Sequence, residues 1–201
     1  MDKLYMILLC LMIVPILICI KYSRKIKSDV ASSIVKCLIF AIVTILSNGL
    51  SAFSGNETFS YIMEALYRFS FDLMLIYVLQ YSQQYTRVFH EVSPFKKGCF
   101  IIAYLDGILL FLNIIFHNVF TIETVRFPNF DMYHVADKSI IFYFHYVFAY
   151  GLVVCIIASF IIKIIQIPDF YRKKYLPILV LICVITVSKF ICGISEFPID
   201  V

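Results

Sequence analysis

Long runs of apolar residues alternate with short polar segments along the whole chain. A helix rises about 1.5 Å per residue, so about 20 apolar residues cross the roughly 30 Å of hydrocarbon in a bilayer. Six runs meet or approach this length, and they predict an all-α fold, a polytopic membrane helix bundle with six transmembrane helices. The predicted helices cover residues 4–20, 31–53, 59–81, 98–120, 139–165 and 176–194 of a single transmembrane domain, 1–201.

The composition agrees with this class of protein. Hydrophobic residues make up 62% of the 201-residue chain and charged residues only 15%, a balance that is typical of multi-span membrane proteins. The six helices leave no room for a soluble domain, and the lipid bilayer is the expected partner. The net charge of +4 does not indicate a nucleic-acid partner, because the basic residues cluster in short loops.

The distribution of Lys and Arg predicts the orientation of the bundle. Loops rich in these residues face the cytoplasm, and only Lys3, Arg126 and Lys138 lie on the opposite side. The sequence therefore predicts a multi-pass protein of the cell membrane with its N-terminus outside. The longest outer loop would run from Thr121 to Lys138. The basic residues assigned to the cytoplasmic side are Lys21, Arg24, Lys25, Lys27, Arg87, Lys96, Lys97, Lys163, Arg172, Lys173 and Lys174.

The third predicted helix carries charges in its middle. Glu64, Arg68 and Asp72 stand at i, i+4 and i+8, so they share a slowly drifting stripe of the helix. Arg68 would lie near the bilayer midplane, where an unpaired charge is costly. Asp106 of the fourth helix has a comparable depth and is the best partner from another helix. These four residues form a predicted buried polar network, which serves either as a structural ladder or as a switch.

A second polar group is predicted in the outer half of the bundle. Glu64, His145 and Lys189 have similar depths on three different helices, and Tyr residues stand near them. Aromatic walls with a few polar groups are typical of ligand pockets, so a small extracellular ligand is a candidate partner. In the alternative, Glu64 pairs with Lys189 and His145 bonds to a Tyr, which closes the site. The predicted cavity-lining tyrosines are Tyr61, Tyr143, Tyr146 and Tyr150.

No motif of an enzyme is found. The sequence lacks a phosphate-binding loop, a nucleophile elbow and the spacings of zinc sites, so neither catalysis nor a cofactor is predicted. Asp131, His134 and Asp137 of the outer loop have near-helical spacing, but short polar loops produce such triples by chance. No metal site is predicted from them.

Three segments carry a resemblance to a known family. They read LLFLNIIFHNVFTIET, FYFHYVFAYGLVV and IKIIQIPDFYRKKYLPIL. In them, Asn113 precedes an outer loop, His145 and Tyr146 lie in an aromatic-rich helix, and 172–174 is a basic loop. A Pro-Ile-Asp sequence follows at 198–200. The chain resembles the seven-helix N-terminal membrane sensor region of bacterial GGDEF diguanylate cyclases, which is akin to the 7TM region of some histidine kinases.

The resemblance implies a function. The chain would be the membrane-embedded sensory or input region of a bacterial signal-transduction protein, not itself catalytic, and truncated before or at its seventh helix. A homodimer is a candidate assembly. No residue of a cyclase or kinase output module is present to be carried over. Two alternatives remain: a small six-helix transporter or substrate-binding membrane subunit, and a membrane protein with a structural role and no ligand.

Overall fold

The computed structural model of the chain is mostly helical. It describes residues 2–53, 56–88, 93–127 and 130–194. Within these ranges the all-α prediction is confirmed, with one two-stranded hairpin between the fourth and fifth helices as the exception. The elements are α1 (Asp2–Ser23), α2 (Asp29–Phe53), α3 (Glu57–Thr86), α4 (Ser93–Phe116), β1 (Phe120–Phe127), β2 (Phe130–Lys138), α5 (Ile140–Gln166) and α6 (Asp169–Ile194).

Three of the described helices are long and apolar enough to cross a bilayer. They are α2 over Asp29–Ser51, α4 over Pro94–Phe116 and α5 over Ile140–Gln166. A shorter apolar stretch, Leu11–Ser23, lies in α1. Of the six predicted spans, the first, third and sixth are not among these three within the described part of the chain. In α3, charged residues interrupt the middle of the helix.

α3 is the central helix of the bundle. It packs against α2, α4 and α5, which are the three apolar helices, and 14 of its 30 residues are buried. Large apolar side chains such as Ile101, Ile115 and Val147 are exposed on α4 and α5. The arrangement places a polar helix inside an apolar sheath, where its charged side chains meet protein groups instead of lipid.

Short hydroxyl side chains join α2 to α3 along their length. The hydroxyl of Ser60 donates to the carbonyl oxygen of Ser51 at 2.6 Å, and the hydroxyls of Thr44 and Ser70 lie 3.0 Å apart. Toward the other end of the pair, Ser33 donates to Oε1 of Gln84 at 2.8 Å. Small residues allow two helix backbones to approach closely, and their hydroxyl groups bond across the interface.

Gly107 allows α4 to lie close to α3. A Cβ atom built on Gly107 would come 2.5 Å from Cδ2 and 2.8 Å from Cε2 of the Phe69 ring on α3. The ring packs in turn against Tyr104 and Phe111 of α4, so it has little freedom to move. Because Gly107 has no Cβ atom, α3 and α4 can pack closely next to Asp106.

The predicted outer loop is a β-hairpin. β1 and β2 pair antiparallel, from Ile122 opposite Val135 to Phe127 opposite Phe130, with an irregularity between Phe120 and Ile122. β-branched and aromatic residues favour a strand here. Asp131, His134 and Asp137 therefore lie on a strand, so their near-helical spacing does not place them on one helix face. Nδ1 of His134 lies 3.2 Å from the carbonyl oxygen of Glu123.

Candidate functional site

Asn113 fixes the hairpin to the end of α4. Its Oδ1 accepts hydrogen bonds from the backbone N–H groups of Val119 at 2.7 Å and Phe120 at 3.3 Å. Its Nδ2 donates to the carbonyl oxygen of Phe120 at 2.9 Å. Asn113 is fully buried, so these bonds satisfy polar groups that have no access to water. The hairpin therefore starts from a fixed point on the helix bundle.

Tyr61 connects the hairpin to α3. Its hydroxyl oxygen accepts a hydrogen bond of 3.0 Å from the backbone N–H of Ile122, which follows the irregularity in the strand. The Tyr61 ring stacks on Phe120 with centroids 5.8 Å apart and meets His117 edge-on at 4.6 Å. A displacement of the hairpin would therefore be transmitted directly to α3.

Glu64 and Arg68 form a buried ion pair one turn further along α3. Nη2 of Arg68 lies 2.5 Å from Oε1 of Glu64, as expected for residues four apart on one helix face. The hydroxyl of Ser51 on α2 donates to Oε2 of Glu64 at 3.3 Å. The pair therefore neutralises its own charge and also bonds to the neighbouring helix.

Aromatic rings surround the guanidinium group of Arg68. Its Cζ lies 4.3 Å from the ring centroid of Phe142, 5.8 Å from Tyr146 and 5.9 Å from Phe120. Cations within about 6 Å of an aromatic face are attracted to it, more strongly where water is excluded. Arg68 is thus in contact with α5 and with the start of the hairpin as well as with Glu64.

His145, Asp106 and Asp72 form a polar cluster deeper in the bundle. Nδ1 of His145 lies 2.8 Å from Oδ2 of Asp106 and 3.3 Å from Oδ2 of Asp72. Each residue belongs to a different helix, α5, α4 and α3, and all three are buried. We call these three residues the histidine–aspartate cluster; it joins the central helix to two of its apolar neighbours.

Asp72 is the least satisfied member of this cluster. Its side chain is 0% exposed. Among the described residues, neither carboxylate oxygen of Asp72 has a hydrogen-bond partner. Nδ1 of His145 lies closer to Asp106, at 2.8 Å from its Oδ2. Burying a carboxylate without hydrogen bonds is costly, so Asp72 requires positive charge or a proton from its surroundings.

The residues of the predicted polar network and of the predicted cavity meet in different combinations from those predicted. Glu64 and Arg68 form the contact expected from their spacing. Asp106, which the sequence assigned to Arg68, instead bonds to His145. His145 was assigned to a cavity with Glu64, yet it contacts Asp72, which lies eight residues and about 12 Å along α3 from Glu64. The depth of a residue was predictable, but the rotation and tilt of α4 and α5 decide which side chains meet.

Of the predicted cavity tyrosines, Tyr61 and Tyr146 pack in one apolar cluster with Phe120 and Phe142, whereas Tyr143 does not belong to that cluster. Tyr61 bonds to the hairpin, and Tyr143 is 56% exposed on the outside of α5. Tyr146 lies beside both Arg68 and His145, whose ring centroid is 5.9 Å away, and it stacks on Tyr150. The side chain of Lys189 lies outside the described part of the chain.

The sequence did not predict that His145 bonds to aspartates. A single His in an apolar helix needs a polar partner when it is buried, and Asp72 and Asp106 were the carboxylates at middle depth. That signal was available in the sequence. The role of Asn113 in fixing the hairpin had no comparable signal, because it depends on the path of the chain after α4.

No protein-family model and no curated protein sequence match the chain.

Proposed function

We propose that the chain is the membrane-embedded sensory or input region of a bacterial signal-transduction protein. In this proposal six helices cross the cell membrane, the hairpin lies on the outer side, and the histidine–aspartate cluster lies within the bilayer. The supporting observation is a continuous series of contacts from the hairpin through Tyr61 to the charged stretch of α3.

The series of contacts suits an input region because it connects the hairpin to the interior of the bundle through charged residues of α3. Tyr61 receives the hairpin, and Asp72 lies 11 residues or about 16 Å further along the same helix. Between them, the Arg68 guanidinium contacts rings of α5 and of the hairpin start. Charged groups inside a membrane bundle are typical of sites that switch between two packing arrangements. A ligand on the hairpin would therefore alter how α3 packs against α4 and α5.

Hydrogen exchange tests this coupling in the full chain reconstituted in lipid nanodiscs. Tyr61→Phe removes the acceptor of the Ile122 N–H and so weakens the link between the hairpin and α3, while the ring contact with Phe120 stays. We expect faster amide exchange both in the hairpin and around Asp72, Asp106 and His145. Thr121→Val is the matched control, because the Thr121 hydroxyl bonds only to Asp137 within the hairpin among the described contacts. If Tyr61→Phe changes exchange in the hairpin alone, the coupling does not exist.

The alternative function is a small transporter of six helices, and the histidine–aspartate cluster is the observation that favours it. Ionisable residues in a bundle interior are also characteristic of ion and proton pathways. Flux assays in proteoliposomes separate the two functions. Cation or proton flux that depends on Asp72 would support the transporter, whereas a sealed vesicle with intact hairpin coupling supports the input region.

A further inference from the structure

The geometry points to a binding site for one divalent transition-metal cation, formed by Asp72, Asp106 and His145. The site goes beyond the sensory proposal, because a cation can bind there whatever the chain does with it. The three residues offer two carboxylate oxygens and one imidazole nitrogen, all within 4.8 Å of one another. They come from α3, α4 and α5, so a bound cation would join three helices.

A divalent cation would offset the buried charge of the histidine–aspartate cluster. Asp72 and Asp106 together carry two negative charges when ionised, and both are almost fully buried. Arg68 is already engaged by Glu64 and by aromatic rings. Among the described residues, Asp72 has no hydrogen bond to either oxygen, although Oδ2 is directed toward His145. One divalent cation would neutralise both carboxylates and supply the partner that Asp72 lacks.

The distances fit a shared coordination sphere. Ligand atoms about 2.1 Å from a metal, and separated by angles of about 90° to 109°, lie about 3.0 to 3.4 Å from each other. Nδ1 of His145 lies 2.8 Å and 3.3 Å from the facing oxygens of Asp106 and Asp72. A cation between these three atoms would lengthen the 2.8 Å contact of His145 with Asp106 toward this range, and the three atoms all lie within 4.8 Å of one another. To coordinate through Nδ1, the His145 ring would be the neutral tautomer with its proton on Nε2, so any proton held on Nδ1 would pass to water and leave the Nδ1 lone pair for the cation.

The ligand types indicate the class of metal. One imidazole and two carboxylates suit Mn²⁺, Fe²⁺ or Zn²⁺, whereas Ca²⁺ and Mg²⁺ prefer oxygen ligands alone, and Cu⁺ prefers sulfur. Three protein ligands also leave at least one position open for water or another ligand.

Mn²⁺ binding to the purified full chain tests the proposal. After treatment with a chelator, the protein in nanodiscs is titrated with Mn²⁺, and the loss of the free-ion electron paramagnetic resonance signal is measured. We expect about one ion per chain. Asp72→Asn and Asp106→Asn should each weaken binding at least about tenfold. Asp137→Asn removes an exposed carboxylate of the hairpin and should leave binding unchanged.

A second measurement identifies the histidine and does not depend on the aspartate variants folding. A protein that carries His90→Ala, His117→Gln and His134→Gln retains His145 as its one imidazole. Pulsed electron paramagnetic resonance of its bound Mn²⁺ should show coupling to an imidazole ¹⁴N nucleus. The proposal is overturned if the wild-type protein binds no Mn²⁺, if the well-folded Asp72→Asn protein binds as tightly as wild type, or if the protein with His145 alone shows no nitrogen coupling.

Discussion

Two buried carboxylates on α3 are stabilised in different ways. Glu64 is paired within its own helix and receives a hydrogen bond from Ser51. Asp72 depends on residues of two other helices. Polar pairs in membrane bundles contribute only about 0.6 kcal/mol on average, because the unfolded chain in lipid also finds partners. The Glu64–Arg68 pair therefore adds little net stability. Its effect is to offset the cost of burying a charge at this position.

Arg68→Met tests this interpretation of the pair. The change keeps most of the side-chain volume but leaves Glu64 as a buried charge without its cation, which costs about 3 to 5 kcal/mol. Arg68→Met combined with Glu64→Gln removes both charges and should recover most of that loss. The free energy of unfolding in detergent measures both variants. Equal stabilities for the single and double variants would show that the pair is not coupled.

Asn113 is the residue on which the hairpin position depends. Asn113→Ala leaves the N–H of Val119 and both polar groups of Phe120 without the partner they have in the wild type. Each stranded buried group costs about 1 to 3 kcal/mol, so the melting temperature should fall clearly. Asn118→Ala is the matched control, because Asn118 is exposed and lies in the same turn. Similar melting temperatures for the two variants would contradict the anchoring role.

Residue spacing predicted one contact of the site and missed the next. A step of four residues turns a helix by about 40° from perfect alignment, so Glu64 and Arg68 face the same way. A step of eight gives about 80°, which directs Asp72 toward a different neighbour. Which neighbour it meets depends on how α4 and α5 are rotated. Spacing on one helix contains no information about that rotation.

At the scale of elements, hydropathy predicted each of the six described helices, although it continued the fourth to residue 120 instead of Phe116, and it missed the hairpin. The helix predicted at 31–53 is α2 (Asp29–Phe53), and that at 139–165 is α5 (Ile140–Gln166). Apolar length determines such helices because the backbone must bond to itself in lipid. The polar segment after α4 has no comparable constraint. Its β-branched residues Ile122, Thr124 and Val125 were the available signal for a strand.

Gly107 gives a prediction at the interface of two elements. In Gly107→Ala the new methyl group would overlap the Phe69 ring, and overpacking of this kind costs about 1 to 3 kcal/mol. α4 would move away from α3, taking Asp106 with it. Gly151→Ala is the control, since nothing lies within 4 Å of its added Cβ and Ala favours a helix by about 1 kcal/mol over Gly. Thermal unfolding compares the two. A neutral Gly107→Ala would show that the α3–α4 contact adjusts freely.

At the scale of the whole molecule, the position of α3 explains how a charged helix fits an apolar bundle. Three helices that are apolar enough to span a bilayer enclose it. Its charges are directed to Ser51 of α2, to rings and His145 of α5, and thereby to Asp106 of α4. The same enclosure that shields these charges from lipid brings the histidine–aspartate cluster together. The positions of the polar residues along α3 therefore determine where the buried polar contacts of the bundle lie.

The orientation of the bundle is the last prediction. Basic residues concentrate in the segments around Arg24, Arg87 and Arg172, and the hairpin should lie on the opposite, outer side. Cysteine substitutions at Arg24, Lys173 and Asp137 test this, since all three side chains are exposed. In intact cells a membrane-impermeant thiol reagent should label position 137 only, and permeabilised cells should add positions 24 and 173. The wild-type chain, with its native cysteines, provides the background. Labelling of position 24 without position 137 in intact cells would reverse the orientation and place the hairpin in the cytoplasm.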